Sequence, residues 1–234
     1  KIITTFLEIA YMKRYLKLVS TVFFVFYLLS STGMSQNVDS VDYRKGDSDM
    51  FGRNQVVSLA LKQLPFALGG TLAYIEGGDM RFKAIRDNYV PDFHYTYDNY
   101  LQYFPAFALV CVKSLNVEGR STWGEMLVAD AFSIAITSAL SNSLKVIVGR
   151  TRPDSYATNS FPSGHTAVAF MTATMLHYEY GHLSPLVSLS AYATATAVGV
   201  SRVLNDRHWV SDVAFGAGIG VLSTQIGYLI SDAI

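Results

Sequence analysis

Only one cysteine occurs in the 234 residues, Cys111, so no internal disulfide can staple the fold. It stands in the apolar run Phe107-Ala-Leu-Val-Cys-Val112, where a buried, inert thiol is expected. Charge is scarce as well. Asp, Glu, Lys and Arg make up 15% of the chain, against roughly 25% in ordinary soluble domains. Eighteen basic side chains balance eighteen acidic ones, so no net field attracts a polyanion, and a nucleic-acid partner is not expected. Strand-like alternation, internal repeats and low-complexity tracts are also missing. What remains is apolar and aromatic: half the residues are hydrophobic, with fifteen Tyr and fourteen Phe. That composition suits a large core or a membrane interface.

The chain divides by composition into an extension with a signal-like segment (1–35), a polar lead-in (36–55) and a main domain (56–234). Met12-Lys13-Arg14 and Lys17 form a positive region ahead of an apolar stretch at 18–29. Gly33-Met34-Ser35 follows with small residues where a signal peptidase needs them. Cleavage before Gln36 is the expectation, because the apolar stretch falls short of the ~20 residues that span a bilayer. An uncleaved anchor is the alternative. Either way Gln36 lies outside the cytoplasm.

Six long apolar segments read as helices, at about 56–75, 103–115, 122–149, 165–180, 185–204 and 208–231. An aromatic-rich insert at 76–99 reads as a long loop, opened by Gly77-Gly78 and holding Pro91. Its Phe93-His94-Tyr95-Thr96-Tyr97 stretch is expected to pack on the surface rather than touch a ligand. Pro153 is expected to stop the third helix. Ser184-Pro185 has the order of an N-cap followed by proline, and Gly181 suits the end of the helix before it. Gly216-Ala-Gly-Ile-Gly220 lies inside an apolar helix with no strand before it, so close helix packing explains it better than dinucleotide binding.

Chemistry concentrates between residues 145 and 212. Lys145 and Arg152 are seven apart and are expected on one helical face, as a clamp for oxyanions. Pro162-Ser163-Gly164-His165 precedes an apolar helix. Ser163 can cap that helix while free backbone N–H groups face an anion, Gly164 permits close approach, and His165 can pass a proton to a leaving oxygen. In Ser201-Arg202-x5-His208-x3-Asp212, one turn separates His208 from Asp212. A carboxylate on one imidazole nitrogen fixes the tautomer and frees the other nitrogen as a nucleophile. Arg202 can reach the same anion, and Ser201 can support the turn. His165, His208 and Asp212 could instead hold zinc, but the surrounding cations repel a dication and neutralise a phosphate.

These segments, KVIVGRTRP at 145–153, PSGH at 162–165 and SRVLNDRHWVSD at 201–212, resemble the three signature motifs of the type 2 phosphatidic acid phosphatase (PAP2) family, the acid phosphatase–vanadium haloperoxidase superfamily. The resemblance implies an all-α bundle of about six core helices. It also implies a site without metal or cofactor that hydrolyses a phosphomonoester or pyrophosphate. In its terms His208 forms a phosphohistidine, Asp212 orients it, and His165 protonates the leaving group and later activates water. Lys145, Arg152, Ser163, Gly164 and Arg202 bind the phosphate oxygens.

The apolar segments favour a membrane-embedded lipid phosphatase of a bacterial envelope, at the inner membrane with its site facing the periplasm. Lipid A is the first candidate, ahead of undecaprenyl diphosphate, phosphatidylglycerophosphate and phosphatidic acid. The alternatives are a soluble periplasmic acid phosphatase, a vanadium haloperoxidase and a non-catalytic lipid-binding protein. With Gln36 outside, a periplasmic site needs an even number of crossings before Arg152. One early segment must then fail to span, and 103–115 is the expected one.

Overall fold

A computed structural model describes residues 53–234, which form eight helices and no strand. They are α1 (Arg53–Ile75), α2 (Gly78–Tyr89), α3 (Asp98–Leu101), α4 (Phe104–Ser114), α5 (Trp123–Val148), α6 (Gly164–Tyr180), α7 (Pro185–Leu204) and α8 (Val210–Ala233). The signal-like segment lies outside the described residues. The six expected helices are α1 and α4 to α8, each with ends close to those read from the sequence.

The expected loop at 76–99 is different: most of it is helix. Gly77 takes the left-handed conformation (φ 67°), which turns the chain sharply out of α1 and into α2. Charged residues obscured α2 in the sequence, yet they hold it in place. Lys83 pairs with Asp87 one turn on and with Asp206 beyond α7, at 3.4 and 2.7 Å. The Phe93–Tyr97 stretch does pack, through reciprocal hydrogen bonds between the Tyr95 backbone and the Asn205 amide.

α6 is the central element. Twelve of its seventeen residues are buried, too many for one face, because α4, α5, α7 and α8 surround it. Small residues allow the approach of α8. A Cβ on Gly216 would sit 2.6 Å from the Ser163 carbonyl, and one on Gly220 would strike the Ala167 carbonyl. The glycine run is a packing stripe, as its sequence context implied. Thr122 and Glu125 form a capping box at the start of α5. Ser184 caps α7 through the Leu186 N–H, and Gly181 ends α6. Cys111 is half-buried rather than buried.

The helices α5, α7 and α8 are each long and apolar enough to cross a membrane. Along α5, Leu127, Ile134, Val146 and Ile147 face outward, the last two 84% and 77% exposed. An apolar face of that extent calls for hydrocarbon rather than water beside it, and the chain is a membrane protein.

Phe104–Ser114 is too short to span by itself, as expected, yet the chain runs the length of the bundle three times before Arg152. Gly70 lies against Phe215 and Ser211, while Gln63 bonds Gln225, so α1 runs antiparallel to α8 and ends beside its start. The short α4, about 16 Å long, cannot cross the bundle alone. With α3 stacked above it, it does. Asn99 meets His165, the Gln102 carbonyl meets Thr172, and Lys113 meets Glu179, so the pair follows α6 from one end to the other. Arg53 and Arg152 therefore stand at opposite ends of the bundle.

Candidate active site

The segment Asn159–His165 lies at the end of the bundle where α5 finishes and α6 and α8 begin, and it gathers most of the predicted residues. Lys145, in the last turn of α5, donates to the carbonyls of Asn159 (2.9 Å) and Pro162 (2.7 Å). Arg152 does not share its helical face. Gly149, left-handed at φ 57°, ends α5 at Val148, before Pro153 can act as its stop, and Arg152 belongs to the following loop. It returns to the same place by another route, donating through Nε to the Asn159 side chain at 2.8 Å. The paired cations are real, but the loop holds them together rather than the helix.

Ser163 caps α6 as expected. Its Oγ accepts from the Thr166 N–H and lies 2.8 Å from the Thr166 hydroxyl. Its own N–H donates to the Asp212 carbonyl at 3.0 Å, tying the starts of α6 and α8. A Cβ on Gly164 would come no closer than 3.9 Å to the end of the Lys145 stem, so this position faces open space beside a cation.

His208 departs from the expected geometry. Its Nδ1 lies 3.8 Å from Asp212 Oδ2, beyond a hydrogen bond, and donates instead to the Ser160 carbonyl at 2.8 Å. A carbonyl can only accept, so Nδ1 carries the proton and Nε2 the lone pair. Asp212 acts one bond further away. The Ser160 hydroxyl donates to Asp212 Oδ2 at 2.5 Å, and the Trp209 N–H donates to the same oxygen. Ser160 thus joins carboxylate to imidazole, with its hydroxyl on one and its carbonyl on the other.

Arg150 completes this support. It bonds Asp212 Oδ1 and the Ser211 hydroxyl at 2.6 Å each, and Asp79 on α2 at 2.7 Å. The Tyr74 and Trp209 rings flank its guanidinium. Asp79 also accepts from the Ser211 backbone and hydroxyl. Arg150 was visible between Lys145 and Arg152, but nothing in its spacing separated a supporting cation from a phosphate-binding one.

Arg202 and His165 are held by the insert. Arg202 donates to the fully buried Asp98 at 2.9 Å, and its Nε is buried without a partner among the described residues. Next in the chain, Asn99 Oδ1 lies 2.8 Å from His165 Nε2. Ser201 supports the turn through Asn205, as expected. Asp98 and Asn99 gave no sequence signal, because their partners are more than sixty residues away.

The electrostatics follow from this crowding. Burial pushes the His208 imidazole below its ordinary range, with Asp212 opposing the shift and Arg202 adding to it. Burial, then Arg202, lowers His165 to about 4, and Arg152 and His208 act in the same direction. Both histidines are neutral at neutral pH. The arrangement offers three cations, capped backbone donors and an imidazole lone pair at a single place. These are the components for binding a phosphate dianion and attacking it.

Fold and site together define an all-helical membrane protein with a cationic, histidine-bearing centre at one end of its bundle. Residues 127–233, which contain every one of the three motifs, match the PAP2 superfamily, and this part of the chain belongs to it. It is 44% identical over 157 residues to the lipid A 1-phosphatase of Porphyromonas gingivalis, covering 67% of this chain and 35% of that protein. It is 34% identical over 116 residues to the lipid A 1-phosphatase of Rhizobium johnstonii, covering 41% of this chain and 45% of that one. The chain thus spans less than half the length of either relative. In fold it is similar to the transmembrane PAP2-type phosphatidylglycerolphosphate phosphatase of Bacillus subtilis, with a TM-score of 0.51, 23% identity, and coverage of 77% of this chain and 97% of that one.

Proposed function

We propose that this chain is a lipid phosphatase of a bacterial envelope, cleaving a phosphate from a membrane lipid through a phosphohistidine on His208. The observation that carries the reading is the His208 tautomer: with Nδ1 fixed on Ser160, Nε2 keeps its lone pair, and Arg202 and Lys145 lie close enough to lower the imidazole further than burial does. Burial and nearby cations hold His165 neutral; the bound dianion offsets those cations, so His165 takes up a proton as substrate binds. Nε2 of His208 then forms a bond to phosphorus as the bond to the leaving oxygen breaks, and that oxygen takes the proton from His165. Neutral His165 then accepts a proton from water, which attacks the phosphorus. The P–N bond breaks, and His208 is neutral again. The three cations and the Gly164 N–H at the start of α6 stabilise the equatorial oxygens in both steps, the Ser163 N–H being engaged by the Asp212 carbonyl. No metal ion takes part.

The substrate is lipid A carrying a 1-phosphate, a choice supported by the names of the two curated relatives. The site faces the periplasm. With three traverses of the bundle before Arg152, this puts Arg53 on the cytoplasmic side and replaces the expectation that the chain enters the domain from outside. The test uses the purified chain in detergent, with lipid A labelled at the 1-phosphate and a chelator present. Wild type should release phosphate and be trapped as an acid-labile phosphoprotein. His208→Ala should lose on the order of 10³-fold or more in rate and form no such adduct. Equal rates for the two would overturn the mechanism. Release from phosphatidylglycerophosphate alone would overturn the choice of lipid, and loss of activity with chelator would overturn the metal-free chemistry.

A further inference from the structure

Beside the site lies an open apolar groove of about 410 Å³, lined by Tyr97, Tyr100, Leu101, Tyr103, Phe104 and Phe107. Apolar rings of this size would ordinarily be buried, yet Tyr100 is 79% exposed, Phe107 67%, and Tyr103 and Phe104 55% each. The helical course explains their direction. Gln102 and Tyr103 keep right-handed helical angles between α3 and α4, so the two helices follow one another almost without a break. Asp98, Gln102, Pro105 and Leu109, spaced at fours and threes, turn inward and are buried. The aromatic side chains occupy the outer face.

A third row links groove to chemistry. Asn99, Tyr103 and Phe107 follow at intervals of four and so lie above one another. Asn99 touches His165. The row therefore starts at the residue assigned to protonate the leaving oxygen and descends the groove. From Tyr97 to Phe107 the helical rise is about 15 Å, directed away from the site toward the far end of the bundle. Among the described residues no charged side chain lines it, so it suits hydrocarbon and not a sugar phosphate. Its volume falls in the range of small-molecule sites.

Resting on the lipid phosphatase reading, we propose that this groove holds one acyl chain of the substrate lipid, fixing the leaving oxygen against His165. The same turn that carries the groove also presents Asp98 to Arg202 and Asn99 to His165. Chain binding and phosphate alignment are thus properties of one short segment.

The test compares wild type with Tyr103→Ala/Phe107→Ala in one detergent. The substrates are a lipid A 1-phosphate with its natural long chains, a short-chain lipid monophosphate and p-nitrophenyl phosphate. Both side chains are exposed and neither touches the phosphate site. The double variant should lose about tenfold in kcat/KM on the long-chain lipid, lose the preference for long over short chains, and keep its rate on p-nitrophenyl phosphate. Phe107→Leu, which restores apolar bulk, should recover most of the loss in the Tyr103 background. An unchanged long-to-short ratio would overturn the proposal and leave these rings as contacts with bulk bilayer. Equal losses on all three substrates would also overturn it. If wild type cleaves p-nitrophenyl phosphate and no lipid, the lipid phosphatase reading itself fails, a result distinct from either.

Discussion

At the scale of single residues, Ser160 is the least conspicuous member of the site and the most informative. A serine five residues ahead of His165 carries no motif, yet its two oxygens connect Asp212 to His208. Ser160→Ala removes the hydroxyl but keeps the carbonyl, so the His208 tautomer survives while buried Asp212 loses one donor. A lost bond to a buried carboxylate costs about 1–3 kcal/mol. We expect kcat to fall by about tenfold with little change in KM, and Asp212→Asn to fall much further. Full kcat in Ser160→Ala would remove the bridge from the mechanism.

His165 supplies a second residue-level prediction. It titrates at about 4, held down first by burial and then by Arg202. A bound dianion offsets the neighbouring cations and raises that value, so binding takes up a proton. Affinity must then increase as pH falls, because proton uptake is favoured at lower pH. Sulfate, which keeps both charges over this range, is the suitable probe. Its inhibition constant should decrease from pH 7 to pH 5 in wild type and stay nearly level in His165→Gln. A level profile in wild type would contradict the assigned role.

At the scale of elements, much of the bundle was legible in the sequence. The long apolar segments gave α1 and α4 to α8, Ser163 and Ser184 marked helix starts, and the Gly216–Gly220 stripe gave the tight approach of α8 to α6. What escaped was set by distant partners. α2 is polar because Asp79 and Lys83 serve Arg150 and Asp206. α5 ends where its apolar segment does, but the left-handed turn at Gly149 takes Arg152 off the helix, which the seven-residue spacing from Lys145 did not report. Seven of the eight predicted site residues belong to or bond the Asn159–His165 segment, and Arg202 joins them through Asp98, but Arg150, Ser160, Asp79, Asp98 and Asn99 did not stand out. They act on other side chains and have no characteristic spacing of their own.

Two glycines test the packing account from opposite directions. Gly220→Ala drives a methyl into the Ala167 carbonyl and the Met171 backbone, which cannot yield as a flexible side chain would. Overpacking of this kind costs about 1–3 kcal/mol. Gly69, inside α1, has open space around it: a Cβ added there would meet nothing within 4 Å. Gly69→Ala therefore gains helix propensity, up to about 1 kcal/mol, at no steric cost. In the same detergent, the melting temperature should fall for the first and rise slightly for the second. Equal shifts would contradict the stripe as the determinant of the α6–α8 approach.

At the scale of the whole molecule, polar clusters close the bundle at both ends, and they differ in kind. At the far end Glu179 is fully buried and accepts from Lys113, the Ser121 N–H and the Tyr228 hydroxyl. The fold itself supplies the countercharge to that carboxylate. At the site end, among the described residues, Lys145 and Arg152 donate only to uncharged oxygens, which leaves their charge for an anion. The molecule is therefore polarised along its axis, and a membrane must place the two ends in different compartments. Tyr156, 98% exposed, marks the site end, and exposed Leu183 in the α6–α7 turn marks the other. In a Cys111→Ser background, an impermeant thiol reagent applied to intact cells with a permeable outer membrane should label Tyr156→Cys. Leu183→Cys should label only after the inner membrane is opened. The reverse pattern would put the site in the cytoplasm, and equal labelling of both would mean that the bundle does not cross the membrane.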